Sequence, residues 1–100
     1  MFGMGGIYVE VFKDVAFRLA PLCEADARAM IAETAAGKIM AGVRGQAPGD
    51  IAAVVDTLRR VGQLVADFPG ISELDINPLI VGPEGQGAWA VDVRMALTGV

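Results

Sequence analysis

The side chains best suited to chemistry lie in two short stretches near the carboxyl end. ISELDINPLIV (Ile71 to Val81) carries Glu73, Asp75 and Asn77 at alternate positions, and AWAVDVRMAL (Ala88 to Leu97) carries Asp92 and Arg94 two apart. Alternate side chains of a strand share a face, so each stretch presents its polar residues on one side. Leu74 and Ile76 then face the core, and Trp89, Val91, Val93 and Met95 form the apolar face of the return strand, with Trp89 as a core residue. Between the stretches lies a turn, Gly82 to Gly87, whose midpoint falls between Glu84 and Gly85. Asn77 and Asp92 are equally far from that midpoint. A symmetric hairpin therefore sets them directly opposite, with Cβ atoms ~4.5–5.5 Å apart, and sets Asp75 opposite Arg94.

An amide oxygen facing a carboxylate suits a hard cation. Magnesium takes one or two protein oxygens and completes its octahedron with water and phosphate oxygens. In that reading Asn77 and Asp92 are the ligands, while Asp75 and Glu73 support them or hold a second ion. Arg94 balances the carboxylates when the site is empty and contacts phosphate when it is full. The same spacing also serves an ordinary polar contact across a solvated strand pair, and Asn-Pro is a common turn pair.

The remaining elements must position this hairpin. Gly3, Gly5 and Gly6 read as a flexible lead-in, since a strand and not a helix N-terminus follows them. IYVEVFK (Ile7 to Lys13) and VAFRLAP (Val15 to Pro21) read as a hairpin in which Glu10 opposes Arg18. Glu24 to about Ala36 is alanine-rich and helical, with Gly37 as its stop or Lys38 to Ala41 as an irregular continuation. Cys23 at its start reads as a small packing residue. A loop, Gly42 to Gly49, contains Arg44, read as a solvated arginine. Asp50 caps the clearest helix, whose stripe of Ile51, Val54, Leu58, Val61, Val65 and Phe68, widened by Val55, opposes Asp56, Arg59, Arg60 and Gln63. The order is ββααββ: an α+β unit, mainly antiparallel sheet with two helices packed on one face.

Composition narrows the function classes. The chain has 100 residues, enough for one domain. Apolar residues make up 54% and charged residues 20%, which excludes intrinsic disorder. Charges recur too often for a membrane-spanning run. The net charge of -4 without a basic cluster argues against nucleic acid. One cysteine forms no internal disulfide, which fits a reducing, cytoplasmic setting. Histidine is absent, so this sequence supplies no imidazole ligand, His-based triad or phosphohistidine.

ELDINPLIV (Glu73 to Val81) followed by AVDVR (Ala90 to Arg94) resembles the ATP-grasp subunit of NDP-forming acyl-CoA synthetases, relatives of succinyl-CoA ligase. The opening FGMGGIYVEVFKDVAFRLAPL, GVRGQAPGDI and DFPGISELDINPL are similar in wording and order, so the likeness runs from Phe2 to about Leu97. The resemblance implies the C-terminal portion of an ATP-grasp domain, binding Mg2+ and ATP/ADP, with magnesium on Asn77 and Asp92. Where succinyl-CoA ligase has glutamate two residues before the asparagine, this sequence has the shorter Asp75. Arg94 and Glu10 are the residues brought near nucleotide, Glu10 with Arg18 in the upstream hairpin. The implied partner is a CoA-binding, phosphohistidine-bearing domain or subunit, and the implied reaction is acyl-CoA + ADP + phosphate ⇌ acid + ATP + CoA. The adenine-holding lobe and the phosphoryl-carrying histidine are not in this sequence, so alone it is expected not to turn over. The competing reading is a non-catalytic assembly or regulatory module, a possible homodimer paired through sheet edges.

Overall fold

The computed structural model describes residues 1–3, 15–16, 18–42 and 48–98. In chain order these form β1 (Phe2–Gly3), β2 (Val15–Ala16), α1 (Glu24–Ala32), α2 (Ala35–Met40), α3 (Ile51–Asp67), β3 (Ile71–Ile76), β4 (Leu79–Val81), β5 (Ala88–Ala90) and β6 (Val93–Leu97). The architecture is α+β, and among the described residues every strand pair is antiparallel.

At the amino end β1 pairs with β2, Phe2 opposite Ala16 and Gly3 opposite Val15. Gly3 is thus strand, not lead-in. Of the expected strand from Val15 to Pro21, only Val15 and Ala16 are strand among the described residues; Arg18 to Pro21 leave the pairing, and Leu19 is almost wholly exposed. Ile7 to Lys13, and with them the expected pairing of Glu10 and Arg18, lie outside the described residues. Arg18 donates to the carboxylate of Glu33 just beyond α1, Nη1 to Oε2 at 3.2 Å, with Nη2 meeting Oε1.

That hydrogen bond from Arg18 holds Glu33 below the ordinary glutamate value of 4.5, against an opposing effect of desolvation. A carboxyl depressed in the folded state adds stability above its unfolded pKa and loses it as pH falls through the folded value. The tie is therefore intact above pH 4.5 and dissolves below it. An NMR titration of the Glu33 side chain is expected to show a midpoint below 4.5 that returns to the ordinary value in Arg18→Ala. Both side chains are solvated, so the accompanying stability change is small.

Among the described residues the helical layer has three helices where the sequence suggested two. Cys23 caps α1: its sulfur accepts from the Asp26 N–H at 3.5 Å and donates to Asp26 Oδ2 at 3.1 Å. It is exposed, a cap and not a packing residue. The helix ends at Glu33 because Thr34 takes a cap conformation. The fully buried Thr34 hydroxyl donates to the Ile31 carbonyl at 2.8 Å and accepts from the Gly37 N–H at 3.1 Å. Side chains that offer the backbone such local bonds compete with helix continuation. Gly37, read as a stop, instead lies buried within α2 against the Ile31 backbone.

Ala27 and Ile31 of α1 pack against Val54 and Val55 of α3 in the core. Phe2, Met40, Ile51, Leu58, Leu79 and Val81 close around them, joining helices to strands. The α3 stripe follows its expected spacing through Val65, whereas Phe68, past the last turn, is more than half exposed. Asp56, Arg59, Arg60 and Gln63 face solvent, as the period of 3.6 requires.

Candidate functional site

The carboxyl-terminal third is one long hairpin in two ladder segments. Asp75 opposes Arg94 and Ile76 opposes Val93 in β3–β6. Leu79 opposes Ala90, Ile80 opposes Trp89 and Val81 opposes Ala88 in β4–β5. A single register connects them, symmetric about the point between Glu84 and Gly85. At the junction the Asn77 N–H donates to the Asp92 carbonyl at 3.0 Å, and the Val91 N–H donates to the Pro78 carbonyl at 3.1 Å. Asn77 is therefore the cross-strand neighbour of Asp92. The two stretches read as continuous strands are each interrupted here, because Pro78 has no N–H to give the ladder.

The tip turns tightly. Gln86 N–H donates to Pro83 O and Gly82 N–H to Gly87 O, both at 2.9 Å. Gly85 and Gly87 have φ of 83° and 90°, values that a side chain would strain, which is why the turn is glycine-rich.

On the polar face Glu73, Asp75, Asn77, Asp92 and Arg94 are all exposed. Arg94 Nε stands 3.9 Å from Asp92 Oδ2, so these two share a face as alternation demands. Glu73, Asp75 and Arg94 border one open groove. Asp75 and Asn77 border a second hollow of about 370 Å³, lined largely by apolar side chains, among them Ile39, Leu58, Val61 and Leu79. Among the described residues no three carboxylates or thiols converge into an all-protein metal cage. One amide and one carboxylate on facing strands fit a cation whose remaining ligands are phosphate and water oxygens. Glu10 lies outside the described residues.

The apolar face of this hairpin departs from expectation. Leu74 and Ile76 are half-buried, but Trp89, Val91, Val93, Met95 and Leu97 are each about half exposed or more. Trp89 is not core. Its ring instead lies over the turn, with Cζ3 only 3.1 Å from where a Cβ on Gly82 would stand.

Asp50 does more than the sequence reading gave it. It caps α3 by accepting from the Ala53 N–H at 3.0 Å, and its other carboxylate oxygen accepts from the Gly87 N–H at 2.8 Å. No periodicity signals a contact 37 residues away. The pairing of Gly49 with Pro83, with the backbone bonds beside it, brings the hairpin tip to the start of α3.

Known proteins bear on this geometry. The chain is 52% identical over 100 residues to the β subunit of acetate–CoA ligase [ADP-forming] II from Pyrococcus furiosus, covering 99% of this chain and 42% of that protein. It is 50% identical over 97 residues to 4-hydroxybutyrate–CoA ligase [ADP-forming] from Nitrosopumilus maritimus, covering 97% of this chain and 14% of the relative. Among solved structures, acetyl-coenzyme A synthetase 1 of Ca. Korarchaeum cryptofilum, in complex with coenzyme A and Mg-AMPPCP, superposes with a TM-score of 0.88 at 47% identity. That match covers 96% of this chain and 44% of the solved one. The chain thus spans less than half the length of these relatives. Residues 1–97 match the family model of the ATP-grasp domain, and the chain belongs to the ATP-grasp family.

Proposed function

We propose that this chain supplies part of the nucleotide site of an ADP-forming acid–CoA ligase, holding the magnesium-bound phosphates of ATP or ADP. The observation that carries the reading is the hairpin register that makes Asn77 the cross-strand neighbour of Asp92. A relative of 47% identity was solved with Mg-AMPPCP and coenzyme A, which supports nucleotide and CoA as ligands of the whole enzyme.

In this reading Asn77 and Asp92 hold the ion, which would neutralise the charge of the phosphate oxygens when bound. Asp92 supplies the negative charge and Asn77 a neutral oxygen, so the pair binds a cation without gathering more anions beside phosphate. Arg94, now near Asp92, is the group that meets phosphate when the carboxylate is engaged. Asp75 lies opposite Arg94 on the neighbouring strand, where its charge adds to the negative potential of the site. The contribution is electrostatic alignment; the covalent steps fall to other groups. With no histidine in the sequence, a phosphoryl-carrying histidine must come from another domain or chain, and these residues alone do not turn over. Among the described residues no helix is long and apolar enough to cross a membrane, and with one cysteine in the chain a cytoplasmic enzyme fits.

Addition of Mn2+ with ADP to the isotopically labelled chain tests the site directly. Paramagnetic broadening is expected at Asn77 and Asp92 and is expected to vanish in Asp92→Ala. Broadening confined to other carboxylates sinks the proposal.

The row of exposed apolar side chains on β5 and β6 favours a second statement, that copies of the chain associate through this hairpin. Sedimentation is expected to show a dimer that Val93→Lys disperses; a monomer at all accessible concentrations rules it out.

A further inference from the structure

We propose that Asp50 is a positioning residue for the Asn77–Asp92 pair, acting by clamping the hairpin tip to the start of α3; the inference rests on the magnesium reading of that pair.

Among the described residues, the segment that carries Asn77 borders open space instead of a close-packed layer. A hollow of about 370 Å³ lies beside it, lined by Leu74, Ile76 and Asn77 on the strand side and by Ile39, Leu58 and Val61 on the helix side. Every residue of β6 is exposed. The hairpin is instead tied down at its far end. The Asp50 N–H donates to Gly82 O at 2.9 Å, and the Glu84 N–H donates to Pro48 O at 3.0 Å. Gly49 N–H reaches back to Met40 O at 2.6 Å, so the same three residues also hold α2.

Asp50 adds a charged side chain to this junction, and it is buried at 7% exposure. Its two carboxylate oxygens serve two elements, one the Ala53 N–H of α3 and the other the Gly87 N–H of the tip. A charged acceptor binds such N–H groups more strongly than a neutral one. Loss of the second bond leaves the backbone bonds from Asp50 to Gly82 and from Glu84 to Pro48 but loosens the Gly87 side of the tip, so that the hairpin shifts over the hollow. The opposed oxygens of Asn77 and Asp92 then lose their fixed relation to the helical layer, though each keeps its cross-strand neighbour.

Asp50→Ser separates the two roles, because serine is as good a helix cap but is too short to serve Gly87 as well. Asp50→Asn is the isosteric companion: either way the amide is turned, one N–H faces an NH2 group. The full chain is titrated with Mn2+ and ADP while amide signals and helix content are followed. In Asp50→Ser, helix content is expected to hold, the amide shifts of Asn77 and Asp92 to move, and Mn2+ affinity to fall roughly tenfold, as when groups supporting metal ligands are removed. Unmoved signals with unchanged affinity overturn the proposal. If wild type shows no broadening yet Asp50→Ser still moves both amides, the metal reading fails and the positioning role stands. If neither occurs, both fail. Should both variants unfold, wild type still decides: a Gly87 amide exchanging as fast as an open turn excludes the clamp.

Discussion

Asp92→Ala, placed in the ligase of which we propose this chain forms part, is expected to lower nucleotide-dependent phosphoryl transfer by roughly two to three orders of magnitude, the scale on which one transition-state electrostatic contact acts. Asn77→Ala should follow it in direction with a smaller loss, because a neutral oxygen contributes less than a carboxylate. The effect belongs to chemistry and not to folding. Asp92 is more than half exposed, and Arg94 stands 3.9 Å from it. An exposed pair at that distance contributes at most about 1 kcal/mol, so thermal unfolding should barely move. Asn77→Asp keeps an oxygen donor and should retain most of the metal affinity. Steady-state rates at several magnesium concentrations, with circular dichroism on each variant, check the set. Activity of wild-type size in both alanine variants removes the assignment.

Gly37→Ala is expected to destabilise the helical layer by about 1–3 kcal/mol, the usual cost of forcing extra volume into a packed interior. A Cβ there would stand 1.9 Å from the Ile31 carbonyl oxygen and 2.7 Å from its carbon. Both are backbone atoms, so no side-chain rotation relieves the overlap. Movement of α2 away from Ile31 would also stretch the bond from the Gly37 N–H to the Thr34 hydroxyl. On an exposed helix alanine would have been the better residue, so the sign of the change reports the close approach. Denaturant titration measures it; a neutral or stabilised variant means that α1 and α2 do not meet as described.

Much of the fold was legible because the relevant physics is local. Alternation in Glu73 to Asn77 and a glycine-rich turn of definite length set a strand register, since slipping by one residue would turn every side chain to the wrong face. The observed opposition of Asp75 to Arg94 agrees with that count. Asp50 was readable as a cap, and the α3 stripe as a core face, from periods of a few residues.

What the sequence determined by itself was thus the hairpin, its symmetric register, the amphipathic third helix and the family wording of its motifs, all consequences of neighbours along the chain. Tertiary structure alone decided the rest. It split one expected helix at Thr34, paired Phe2–Gly3 with Val15–Ala16, left Trp89 outside the core and gave Asp50 its second partner. The split at Thr34 turns on bonds three residues apart, whereas the Asp50–Gly87 bond depends on which distant surface arrives alongside, and no local pattern encodes a contact whose partner is 37 residues away.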